Sequence, residues 1–180
     1  MLILASKSPR RIELLSGITK DFLVIPADID ESFDKNLPPR QIAADLAFRK
    51  ALCVFNRRGG TVLGADTIVV CGGEILNKPS DFEDAKRMLK KLSGNIHSVF
   101  TGVCLITDTK IVKECCETKV EFYKLSDRKI IKYITKFQPY DKAGAYGIQD
   151  GFRLVKGITG SESNVIGLPL ELVKSILSTI

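Results

Sequence analysis

The chain has 180 residues, 44% hydrophobic and 27% charged, which suits one ordinary globular domain and excludes disordered, collagen-like and disulfide-rich small proteins. No apolar run approaches the roughly 20 residues that a bilayer demands, and Lys7, Arg10 and Arg11 interrupt the apolar start before a cleavable leader could form. Lys plus Arg number 27 against 21 acidic residues, a net +6 that suits an anionic ligand without naming one.

In chain order, Met1 to Ala5 reads as a short buried strand. Ser8, as N-cap, and Pro9 then open a helix carrying Ile12, Leu15 and Ile18. Phe22 to Ile25 is a second apolar run, followed by a polar, acidic, proline-containing loop from Pro26 to Pro39. From Pro39 a helical stripe of Ile42, Ala43, Leu46, Ala47, Leu52 and Phe55 stops at Arg57-Arg58-Gly59-Gly60. Thr61 to Val70 is rich in β-branched residues and predicts a strand, with Cys71-Gly72-Gly73-Glu74 turning into a short return of Ile75 and Leu76.

Ser80-Asp81-Phe82-Glu83 matches a capping box, so a helix is expected through Ala85, Met88, Leu89 and Leu92 to Gly94. His97 to Thr107 and Lys110 to Tyr123 predict antiparallel strands around an Asp108-Thr109 turn. Ser126 opens a helix with Ile130, Ile131, Ile134 and Phe137, the remainder alternates glycine loops with short strands, and a last helix begins near Pro169. Helices and strands interleave throughout, which predicts an α/β fold on a mixed sheet, and no tether separates a second domain.

Several segments carry residues suited to chemistry. Arg10 and Arg11 fall in the first turn of a helix, where the dipole disfavours cations. A phosphate chain held by helix amides, the Ser6 hydroxyl and the two guanidinium forks would compensate; a solvated helix start with one Arg paired to Glu13 or to a distant carboxylate is the plain alternative. Asp66, inside an apolar strand and beside the small Gly64 and Ala65, is either a metal ligand or water-activating base, or a residue at an exposed strand edge or a turn. Asp28, Asp30, Glu31 and Asp34 form an acidic loop able to join Mg²⁺ to substrate phosphates or simply to face solvent. Lys50 and Lys78 each read, taken singly, as surface charge. In Asp141 to Gln149, glycines surround Tyr146, which can supply a flat wall, and the Gln149 amide can pair with a base edge as donor and acceptor; an ordinary tight turn between strands is the plain alternative.

Other chemistries fit poorly. His97 is the only histidine, and Cys53, Cys71, Cys104, Cys115 and Cys116 lack C-x-x-C spacing and mostly sit in apolar stretches, so a zinc site is disfavoured and the thiols read as reduced core residues of a cytoplasmic protein. His97 opens a β stretch and reads as a hydrogen-bonded structural residue. The absence of Trp, with phenylalanines scattered and charges dispersed, disfavours nucleic-acid binding.

Taken together, LASKSPRR at 4–11, GADTIV at 64–69, NKPSD at 77–81, HSVFTG at 97–102, DKAGAYGIQ at 141–149 and NVIGLPL at 164–170 resemble the Maf family of nucleotide pyrophosphatases, over nearly the whole chain. The resemblance implies an inosine triphosphate pyrophosphatase-like (Maf/Ham-like) α/β fold: an elongated mixed sheet with flanking helices, a single domain of two lobes around a central cleft, usually a homodimer. It implies hydrolysis of a nucleoside triphosphate to monophosphate and pyrophosphate with Mg²⁺ or Mn²⁺, and, as the rival role, a nucleotide-binding regulator of cell division. It assigns substrate contacts to Ser6, Arg10, Arg11 and Lys50, catalysis to Asp66, Glu31 and Lys78, and the metal to Glu31 and Asp66. Arg11, Thr67 and Gln149 look like the subgroup acting on dTTP and UTP, while Asp150-Gly151-Phe152-Arg153 departs from the family's longer glycine-rich loop.

Overall fold

The structure, a computed structural model, describes residues 1–179. Seven strands form a mixed sheet in the order β2-β1-β3-β5-β6-β7, with β4 paired to β3. β1 (Leu2–Leu4) pairs in parallel with both β2 (Phe22–Val24) and β3 (Thr61–Cys71). β4 (Glu74–Leu76) returns antiparallel on β3. β5 (Ile96–Ile106) and β6 (Ile111–Phe122) are neighbours, and β7 (Val155–Thr159) pairs antiparallel with β6. The helices are α1 (Pro9–Ser16), α2 (Pro39–Arg58), α3 (Phe82–Leu92), α4 (Asp127–Phe137), α5 (Glu162–Ile166) and α6 (Leu170–Leu177).

The chain divides into two compact units, one of residues 1–67, 100–116 and 163–179, the other of 68–99 and 117–162. In the first unit the strands carry apolar side chains on both faces. Leu4, Leu63, Ala65, Val103 and Leu105 pack with Leu15 of α1 and Val173 and Ile176 of α6; Ile3, Ala5, Val62, Cys104 and Ile106 pack with Ala47, Ala51 and Val54 of α2. Alternation along β3 makes the division: residues 63 and 65 turn one way, 62 the other. α2 comes very close to the sheet because two glycines admit it. A Cβ on Gly64 would lie 2.3 Å from the Ala47 carbonyl oxygen, and one on Gly102 would lie 2.1 Å from that of Ala43.

In the second unit, α3 and α4 bury Ala85, Met88, Leu89 and Leu92 and Ile130, Tyr133 and Ile134 respectively. Both are capped by side chains at their N-termini. Ser126 accepts from the Lys129 amide as its position predicts, whereas the α3 cap lies one residue beyond the expected Ser80. Asp81, in extended conformation, accepts from the Asp84 amide at 2.8 Å, and Asp84 Oδ2 reaches back to the Ser80 amide at 3.1 Å. A carboxylate at Asp81 supplies the stronger acceptor for a helix start, which displaces the box.

The expected long strands, the 107–110 turn and the first four helices are found, the turn closed by the Thr107 amide on the Lys110 carbonyl at 2.9 Å. The glycine-rich remainder holds more helix than its composition suggests: single 3₁₀ turns at Ala143–Ala145 and Ile148–Asp150, and the five-residue α5. Elements this short bury too few side chains to show a period.

Candidate functional site

The end of β1 delivers Ser6, buried, to the start of α1. Ser8 holds the N-cap position with Pro9 behind it, but its side chain makes no cap; instead the Ser8 amide donates to Ser6 Oγ at 3.2 Å. Arg11, one turn into α1, spends its fork on uncharged oxygens. Nε donates to the Gly167 carbonyl at 2.8 Å, Nη2 to Thr67 Oγ1 at 3.0 Å and Nη1 to Ser6 Oγ at 3.4 Å. Glu13 is therefore not its partner. Burial draws the Arg11 pKa below its ordinary value; the charges of Asp66 and Glu31 oppose that shift, and that of Arg10, on the same helical turn, adds to it.

Thr67 continues the network. Its hydroxyl lies 3.0 Å from Thr101 Oγ1, and Thr101 donates to the Asn164 carbonyl at 3.0 Å. Each hydroxyl carries one proton, so Thr101, having given its own to Asn164, accepts from Thr67, and Thr67 in turn accepts from Arg11. The donor chain runs Arg11 to Thr67 to Thr101 to the Asn164 backbone, tying α1, β3, β5 and α5. Thr101 and Asn164 lie in the segments HSVFTG and NVIGLPL, but nothing in their residue types marks them for this work.

Asp66, next to Thr67 on β3, points to the other face of the strand, toward α2. It is 8% exposed, and Lys50, on the buried side of α2, is also 8% exposed. Lys50 Nζ lies 2.5 Å from Asp66 Oδ1 and 2.6 Å from Glu31 Oε1. Two carboxylates thus converge on one ammonium, which compensates the burial that Asp66 alone could not sustain. Lys50 is accordingly no surface charge, and Asp66 no exposed edge residue. Glu31 is the member of the acidic loop that the fold selects.

The same donor set bears on a metal. Among the described residues, no group of three or more His, Cys, Asp or Glu is gathered. Two carboxylates are nonetheless what Mg²⁺ or Mn²⁺ commonly takes from a protein when phosphates and water complete its shell. Glu31 and Asp66 already share one cation, so hard oxygen donors at this position fit such an ion.

Lys78 and Gln149 belong to the second unit. Lys78 is exposed in the turn after β4, and Gln149 is exposed in the second 3₁₀ turn. Tyr146 is no open wall, for it is buried and its hydroxyl shares a hydrogen bond of 2.7 Å with His97 Nε2. Edge-to-face contacts join both rings to Phe122. Burial holds the His97 pKa down at about 4, so the ring is neutral in the fold, as a structural histidine should be. All five cysteines are free thiols; Cys71, Cys104 and Cys115 are buried as core residues, whereas Cys53 and Cys116 are only half-buried, and burial pushes Cys104 up to about 12.

A family model described as "Maf-like protein" matches residues 1–180. Relatives named dTTP/UTP pyrophosphatase include a protein of Thermococcus onnurineus (strain NA1), 51% identical over 174 residues, an alignment that covers 96% of this chain and 94% of that one. A second, from Thermosipho africanus (strain TCF52B), is 46% identical over 177 residues, covering 98% and 91%. In fold alone, the chain is similar to the Ham1 protein of Staphylococcus aureus, at 15% identity and a TM-score of 0.52, and to a HAM1 protein from Coxiella burnetii, at 16% and 0.57; each match covers 99% of this chain and 98% of the other.

Proposed function

Because this chain belongs to the Maf family, we propose that it is a nucleoside triphosphate pyrophosphatase, hydrolysing dTTP and UTP to the monophosphate and pyrophosphate. The names of its relatives support that reading. The observation that carries it is the convergence of Glu31 and Asp66 on the buried Lys50, on the opposite face of β3 from an Arg11 whose hydrogen bonds all go to uncharged oxygens. Asp66, bound to Lys50, and Thr67, bound to Arg11, are consecutive residues of β3, which supports carboxylate work on one face and phosphate contacts on the other.

In this reading water attacks the α-phosphorus, the bond from that phosphorus to the bridging oxygen breaks, and pyrophosphate leaves with the bond electrons. Asp66 takes the proton of the attacking water. Arg11 and Arg10, with Ser6, hold phosphate oxygens at the start of α1, and Lys50 and Lys78 offset charge on the departing group. Glu31 and Asp66 would hold a divalent cation, Mg²⁺ or Mn²⁺, which supplies charge neutralisation at the phosphates when bound. Thr67 and Gln149 select the base, Thr67 by fixing Arg11 and Gln149 by pairing with a base edge through its amide. The free thiols support a reducing, cytoplasmic setting, and the homodimer is carried over from the family resemblance.

The test is pyrophosphate release across a nucleotide panel with Mg²⁺ and Mn²⁺, for wild type and Asp66→Asn. Wild type is expected to prefer dTTP and UTP. The variant is expected to lose at least about 100-fold in rate, on the order of 3 kcal/mol, while remaining folded by circular dichroism at the assay temperature. Nucleotide binding without pyrophosphate release by wild type would instead support the regulator, which the enzyme names of the relatives do not favour.

A further inference from the structure

Glu31 sits on a stretch, residues 25–34, that belongs to neither strand nor helix. α2 takes up its backbone instead. Arg57 Nη2 donates to the Pro26 carbonyl at 3.2 Å, the Cys53 thiol to that of Asp28 at 3.5 Å, and Arg49 to those of both Asp30 and Ser32, the latter at 2.7 Å. Donors recur at every fourth residue of the helix and acceptors at every second residue of the loop. Four helical residues rise about 6 Å and two extended residues about 6.6 Å, so the two repeats stay in step along the whole contact.

Arg49 is the last rung, and its two carbonyls flank Glu31. The planar guanidinium suits this task, since its fixed fork reads two acceptors at once. Asp30 tightens the same point by accepting from the Ser32 amide at 2.9 Å and from the Ser32 hydroxyl at 2.6 Å. With both neighbours fixed, the Glu31 carboxylate meets Lys50, the residue after Arg49 on the same helix. We infer that Arg49 is a positioning residue for Glu31, and that Cys53 and Arg57 are the outer rungs of a side-chain ladder holding the acidic loop against α2. The inference rests on the reading of Glu31 as part of the active site.

Two measurements on the full chain test it: amide hydrogen exchange over residues 27–33, and steady-state kinetics with dTTP. Arg49→Ala should speed exchange in that stretch and lower kcat about 10- to 100-fold, the usual range for a residue orienting another, with little change in KM. In a Glu31→Gln background the same substitution should cost less than about twofold, because no carboxylate remains to be oriented. Arg49→Lys, able to reach one carbonyl, should recover part of the loss. Unchanged exchange in Arg49→Ala, or an undiminished kcat penalty in the Glu31→Gln background, overturns the inference. Should Arg49→Ala fail to fold, Arg57→Ala removes the outer rung and is read by the same exchange, with unchanged rates overturning the ladder. If wild type releases no pyrophosphate from any nucleotide, the functional reading falls, while the exchange data still decide whether Arg49 holds the loop.

Discussion

Lys50→Met is the most direct probe of the buried cluster. Methionine keeps the four-atom unbranched stem of lysine, with sulfur in place of one methylene, and removes the ammonium, leaving Asp66 Oδ1 and Glu31 Oε1 without the cation they share at 2.5 and 2.6 Å. The two carboxylates are not equally vulnerable. The side chains of Lys50 and Asp66 are 10% and 11% exposed, so stripping one partner there costs about 3 kcal/mol, the low end for a broken buried pair. Glu31 is 48% exposed and water takes up most of its loss, which adds less than about 1 kcal/mol. At roughly 2–4 °C per kcal/mol for a chain of this size, the melting temperature should fall by about 6–12 °C.

The assay is thermal unfolding followed by circular dichroism, in chelator and in Mg²⁺. Magnesium should raise the variant's melting temperature by more than it raises that of wild type, because two carboxylates freed of their ammonium attract a divalent ion. A second variant, Lys50→Met with Asp66→Leu, should regain most of the stability, since removing both members of a buried pair is far cheaper than removing one. A Lys50→Met melting temperature within about 2 °C of wild type in chelator, or a double variant less stable than the single, would refute the argument that burial makes this cluster interdependent.

Two further outcomes follow from the packing. His97 is neutral in the fold with a pKa of about 4, against an ordinary value of 6.5, so below that ordinary value the unfolded chain binds a proton that the native state does not. Stability therefore rises with pH across this window: it is fully present above about 6.5, declines as pH falls toward 4, and the total contribution is about 3 kcal/mol. His97→Gln should flatten that part of the stability-against-pH curve measured by urea unfolding; an unchanged slope contradicts the assignment. Gly64→Ala should destabilise the protein by about 1–3 kcal/mol through overpacking, because its new Cβ meets the Ala47 backbone, and should reduce activity as well by displacing α2 and Lys50. Full stability in that variant would show that α2 yields without cost.

Much of the framework was legible from local signals. The stripe from Ile42 to Phe55, the β-branched run over 61–70 and the Ser126 cap each state their element within one window, because period and capping depend on near neighbours. The displaced cap at Asp81 and the unrecognised α5 mark the limit, where the choice between adjacent candidates or the survival of a single turn depends on what packs against it. Asp66 could be singled out by its cost, a carboxylate in an apolar strand, whereas Lys50, taken singly, reads as surface charge although its helix is largely apolar.

Their union could not be read that way. Lys50 lies 16 residues from Asp66 and 19 from Glu31, and the three meet only because α2 approaches β3 and β5 over Gly64 and Gly102 and the loop carrying Glu31 lies along α2. The same holds for Thr101 and the carbonyls of Asn164 and Gly167, which serve Arg11 through backbone and hydroxyl atoms that any segment could supply. By itself, then, the sequence determined most of the elements, the expense of Asp66 and the family the chain resembles. The tertiary structure decided which expensive residues compensate one another, because the cost of a buried charge is a local property whereas its partner is set by how strands and helices pack.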